Sequence, residues 1–102
     1  MDQQQITALL QQELQPSYID VINESHMHSS GKGANSHFKV IIVAEAFTAL
    51  RAVARHQRIY QILQQGLQNG IHALAIHAYS EREWQQKQQQ VIASPNCMGH
   101  AD

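Results

Sequence analysis

Seven histidines in 102 residues are the densest supply of chemically active side chains in this sequence. Neutral imidazole is a competent ligand for zinc, copper and iron, and its charge changes close to physiological pH. His26 and His28 form a His-x-His pair. On an extended segment their side chains point the same way and could hold zinc, but the third and fourth ligands of a structural zinc site are missing nearby, so ordinary loop histidines are the first reading. His37 and His77 read as structural, and His77 lies on the opposite strand parity from His72, Leu74 and Ile76. Arg51, Arg55 and Arg58 follow i, i+4, i+7 spacing and would share a helical face able to contact phosphates, with Lys39 and Lys32 assisting from a strand and a loop. A solvated helix face is the competing reading of that trio. Cys97 reads as an ordinary thiol with only His100 near it. No nucleophile motif, phosphate loop or paired-carboxylate signature is present, so a small enzyme ranks low and no catalytic residue is expected.

The elements that must position these groups follow from periodicity. Ile6, Leu9, Leu10 and Leu14 recur at helical spacing until Pro16 stops the pattern. Ser17 to Asn23 is rich in Tyr, Ile and Val and reads as a strand, followed by a polar loop from Ser29 to Asn35. His37 to Ala44 reads as a second strand whose apolar residues occupy both parities, as expected when both sheet faces are partly covered. Thr48 is placed to cap a short helix containing Leu50, Val53 and Ala54, and Gln57 interrupts its stripe, which suggests a break near Arg55 to Gln57. Ile59, Ile62, Leu63, Gly66 and Leu67 form the stripe of the next helix, which Asn69-Gly70 ends with a left-handed residue. Ile71 to Tyr79 then reads as a buried strand. Ser80-Glu81-Arg82-Glu83 is a capping box, with Tyr79 and Trp84 placed as a hydrophobic staple, so a last helix through about Gln90 should follow abruptly. The order α-β-β-α-α-β-α predicts an α+β fold with helices on one face of a three-stranded mixed sheet.

Composition bounds the function. The length suits one domain with one core. Apolar content of 43% is ordinary, and the longest purely apolar run, Val40 to Ala44, is far short of the roughly 18 residues that a membrane span needs. The N-terminus lacks a secretory pattern, and one cysteine cannot form an internal disulfide, so a cytoplasmic protein is expected. The net charge of −1 is unevenly spread: Ser25 to Ser80 holds five cations against Glu45, a local +4, whereas the flanks hold two cations against seven acids, a local −5. The middle could attract a polyanion.

Several blocks carry a family resemblance: Glu24-Ser25-His26-Met27-His28, Ser36-His37-Phe38-Lys39-Val40, Arg55-His56 with Ile59-Tyr60, Ile71-His72-Ala73-Leu74 through Trp84, and Ala93-Ser94-Pro95-Asn96-Cys97. In their order and approximate spacing the chain resembles the BolA proteins from Gln15 to Gly99. The resemblance implies a fold similar to the second type of KH domain; the residues themselves suggest 1–93 as the domain and 94–102 as a weakly ordered tail. A KH module clamps nucleic acid with a Gly-x-x-Gly loop, and Val53 to Gln57 at the corresponding place has no glycine, which weakens a transfer of single-stranded RNA binding. The resemblance also implies that His28 and His72 match the positions at which family members ligate a [2Fe-2S] cluster shared with a monothiol glutaredoxin and its glutathione, an adaptor in iron-sulfur trafficking or iron and redox sensing. Histidine in place of thiolate raises such a cluster's potential. Bacterial members are also implicated in duplex DNA binding as transcriptional regulators of stress response, cell morphology and biofilm formation. The helix-turn region departs from the family pattern at Ala49, where glycine is common, and at Arg55-His56-Gln57, where Arg-His-Arg is common. Alone, the chain is expected to be a monomer or weak homodimer without a cofactor of its own.

Overall fold

The computed structural model describes residues 1–25, 37–68, 70–71 and 73–93. The expectations at His26, His28, Lys32, Asn69, His72, Cys97 and the tail 94–102 fall outside these residues.

Helix α1 spans Gln3–Leu14. Asp2 caps it: the Gln5 N–H donates to Asp2 Oδ1 at 2.8 Å, and the Asp2 N–H donates back to Gln5 Oε1 at 2.9 Å. The periodic residues Ile6, Leu10 and Leu14 are buried, Leu9 packs at the edge, and Gln15 closes the helix in a left-handed conformation (φ 47°) just before Pro16. The Gln3 side-chain amide donates to the Val21 carbonyl and ties α1 to the first strand.

Strands β1 (Tyr18–Asn23), β2 (His37–Val43) and β3 (Ala73–Tyr79) form one sheet in the order β1-β2-β3, with β1 antiparallel and β3 parallel to β2. The register sorts side chains by row. Ile42, Val40 and Phe38, with Val21 and the half-buried Leu74 and Ile76, face the helices. Val43, Ile41 and Lys39, with their partners Tyr18, Asp20 and Ile22 in β1 and Tyr79, His77 and Ala75 in β3, form the opposite face.

The connection between β2 and β3 departs from expectation. Thr48 does not cap a helix; Glu45–Phe47 is a 3-10 turn that drives Phe47 into the core at 0% exposure. Helix α2 spans Ala52–Ile62 without a break at Arg55 to Gln57, and the interruption comes at Leu63, before α3 (Gln64–Gln68). The reason lies in the buried stripe, which reads Arg55, Ile59, Leu63: an inward arginine occupies the position where an apolar residue is normally sought. Val53, counted with the core by periodicity, is 70% exposed. At the end of α3 the Ile71 N–H reaches the Gly66 carbonyl at 3.0 Å, with Gly70 at φ 125°, the bond and backbone of a Schellman ending that any Cβ would strain.

Helix α4 spans Glu81–Ala93 and begins as its residues dictate. The Glu83 N–H donates to Ser80 Oγ at 3.2 Å, the Ser80 N–H donates to Glu83 Oε1 at 2.9 Å, and the Tyr79 and Trp84 rings meet at 5.4 Å. Trp84 also stacks on Tyr18 at 5.1 Å, so α4 starts against the end of the sheet face that α1 to α3 leave uncovered. Among the described residues, no helix is long and apolar enough to cross a membrane.

Candidate functional site

The three arginines do not form one face. Arg51 lies just outside α2 in extended backbone (φ −77°, ψ 166°), at the N-cap position, and is exposed. Its side chain does not cap the helix, and the first turn of α2 carries no acid. The amides there and the helix dipole are therefore met by no side-chain acceptor from Arg51, an arrangement that favours an approaching anion. Arg58, seven residues on, is exposed and lines a cleft between α1 and α2 with Leu9, Glu13, Gln61 and Ile62.

Arg55 points the other way, which corrects its expected place among phosphate contacts. It is 8% exposed. Its Nε donates to the Leu50 carbonyl at 2.8 Å, and one terminal nitrogen donates to the Ala78 carbonyl at 3.1 Å. The same nitrogen reaches Glu83 Oε1 at 2.6 Å while the other reaches Oε2 at 3.2 Å, a fork-on-fork pair. The guanidinium also lies 5.9 Å from the Phe47 ring centroid. One side chain thus joins the entry to α2, the end of β3 and the first turn of α4. Glu83 responds: the Arg55 hydrogen bond, then the Ser80 N–H, hold its carboxyl below the ordinary carboxylate value, against a smaller opposing effect of burial. Sequence reasoning assigned Glu83 to the capping box alone. The available signal for the second role was the i, i+4, i+8 register of Arg55 with Ile59 and Leu63.

Lys39 is separated from the arginines altogether. It stands on the uncovered sheet face, in register with Ile22 and Ala75, whereas Arg58 belongs to the helical layer behind the opposite face. Lys39 lines a shallow pocket of about 270 Å³ with Ile41, His77, Tyr79, Trp84 and Lys87. His77 is exposed there, on the parity expected for it, while His37 is buried beside Ser25, whose Oγ accepts from the His37 N–H at 3.1 Å. Among the described residues no group of three or more His, Cys, Asp or Glu side chains could hold a metal ion.

Residues 10–83 match the family described as BolA-like protein. This chain belongs to the BolA family. It is 50% identical over 99 residues to a Vibrio cholerae protein named DNA-binding transcriptional regulator BolA, covering 97% of this chain and 93% of that one. The Escherichia coli protein of the same name is 40% identical over 99 residues, covering 97% and 94%. Among solved structures, the BolA domain of SufE1 from Arabidopsis thaliana superposes with a TM-score of 0.75 at 37% identity, covering 79% of this chain and 93% of that one. The BolA fold expected from the sequence is the fold found, with its three-stranded mixed sheet. The names of these two bacterial relatives describe DNA-binding regulators; in this BolA chain the exposed arginines Arg51 and Arg58 stand at the start of α2 and on its exposed side.

Proposed function

We propose that this BolA-family chain is a non-enzymatic, cytoplasmic transcriptional regulator that binds duplex DNA, with the start of α2 as its phosphate contact. The observation that carries this reading is the α2 entry itself: an N-terminus without a side-chain cap, no acid in the first turn, and exposed Arg51 and Arg58 on either side of the inward Arg55. Phosphate oxygens accept from helix N-terminal amides and from guanidinium, and the release of condensed counterions makes such binding salt-dependent. The names of the relatives at 40% and 50% identity support the same reading.

The test is fluorescence anisotropy with a labelled duplex over a salt series. Arg51→Gln/Arg58→Gln should weaken binding and reduce the slope of log affinity against log salt by about 1.8, or about 0.9 for each lost phosphate contact. An unchanged slope would remove α2 from the interface.

A second activity fits the histidines of the sequence. His72 and His28 would supply two imidazole donors to a [2Fe-2S] cluster, the remaining ligands being a monothiol glutaredoxin cysteine and a glutathione thiolate, and the chain would serve as an adaptor or sensor. The donor chemistry is suitable, because neutral imidazole binds iron and two donors leave two positions for a partner. Bound, the cluster would supply redox and iron-responsive chemistry. The expected result is a one-to-one complex with cluster-loaded glutaredoxin, seen by size and by an altered visible circular dichroism spectrum, which His72→Ala abolishes. A complex indifferent to His72→Ala would dismiss this role and leave the DNA reading untouched.

A further inference from the structure

The uncovered sheet face carries features that the α2 reading does not use. Its pocket has an apolar floor and wall of Ile41, Tyr79 and Trp84, rimmed by Lys39, His77 and Lys87. No carboxylate is among these lining residues; Asp20, the β1 partner of Ile41, shares the face without lining the pocket. Neither lysine is held in an ion pair within 4.0 Å among the described residues, where the pair is Arg55 with Glu83. Lys87 Nζ instead sits 5.7 Å from the Tyr79 ring centroid. Beyond the pocket, Ala73 and Ala75 are exposed along β3, so the face stays accessible past Lys39.

We infer that this open sheet face binds single-stranded nucleic acid, with a base entering the pocket lined by Ile41, Tyr79 and Trp84 and backbone phosphates at Lys39 and Lys87. The chemistry distinguishes the occupant. Cations set beside ring surface match a chain that alternates phosphate with flat base, and unpaired bases stack on aromatic side chains whatever their identity. A duplex keeps its base faces stacked internally and offers only phosphate to such a pocket. The shallow, open shape suits a strand lying across the sheet better than a small ligand, which binds where most of its surface can be enclosed.

Trp84 is the chain's sole tryptophan and lines the pocket, so its fluorescence reports occupancy directly. The full chain is titrated with an oligodeoxythymidine strand, with the corresponding duplex, and with thymidine monophosphate. Saturable quenching by the strand at low salt is expected. Lys39→Gln/Lys87→Gln should weaken it at least about tenfold and lower its salt slope by about 1.4, or about 0.7 per single-strand phosphate contact. Arg51→Gln/Arg58→Gln should leave it unchanged, which separates this site from the α2 interface. Both lysines lie outside the buried core, and thermal unfolding of the lysine variant should match the unsubstituted chain. Absence of quenching by the strand, quenching indifferent to the lysines, or equal response to duplex or to the monophosphate would overturn the inference.

Discussion

Arg55→Ala is expected to lower the unfolding free energy by about 3 kcal/mol in urea denaturation, the scale for breaking a buried ion pair discounted for a half-exposed carboxylate. The discount is needed because the Arg55 side chain is 10% exposed but that of Glu83 is 46% exposed. Most of the loss comes from what remains behind: the Leu50 and Ala78 carbonyls each lose a donor, and the space occupied by the guanidinium is left unfilled. Arg55→Lys should recover only a minor part, since an ammonium cannot serve two carbonyls and both carboxylate oxygens as a planar fork does. Glu83→Gln keeps the reach to the Ser80 N–H and should cost about 1 kcal/mol, the part due to charge in a half-exposed pair. The pH dependence has a definite sign. The Glu83 carboxyl is held below its ordinary value in the folded chain, so its contribution is present above the unfolded-state value and lost as pH falls through the lowered one. Stability of the unsubstituted chain and of Glu83→Gln should therefore converge on acidification, and a constant gap at all pH values would show that charge is not what the pair contributes.

Phe47→Ala should be at least as damaging, at about 3–5 kcal/mol for a large buried aromatic truncated to a methyl group. Phe47 is fully buried, and it closes the 3-10 turn that delivers the chain into α2. Its ring also lies under the Arg55 guanidinium, so the two substitutions should not add: a double-mutant cycle should show coupling of about 0.5–2 kcal/mol. Phe47→Leu, which preserves most of the volume, should cost less than about 1.5 kcal/mol. Additive losses would mean that the ring and the guanidinium are neighbours without interaction. Because this turn sets where α2 begins, Phe47→Ala should also weaken the duplex binding proposed for α2, whereas Phe47→Leu should preserve it.

These predictions rest on parts of the molecule that the sequence disclosed unequally. The capping box at Ser80 and Glu83, the staple of Tyr79 and Trp84, the stop at Gln15 and Pro16 and the turn at Gly70 were readable because each is completed within a few residues of itself. The strands were readable because β-branched and aromatic residues concentrate in them, with apolar residues on both parities of β2. The family resemblance supplied the sheet and its helices as a unit, and the fold agrees with it. The α2 region was misread because apolar periodicity treats every arginine as outward-facing.

The sequence by itself determined the order of the helices and strands, the capped start of α4 and the core face of α1, since these follow from local propensity and periodicity, and its motif blocks carried the family resemblance. The tertiary structure decided the fate of the cations. Arg51 and Arg58 remain exposed, Lys39 is carried to the far face of the sheet, and Arg55 turns inward. The reason is that a buried guanidinium is tolerated only when partners satisfy it, and its carboxylate is supplied 28 residues away by the turn that starts α4. Spacing along the chain cannot reveal a partner that is brought close only when β3 pairs with β2.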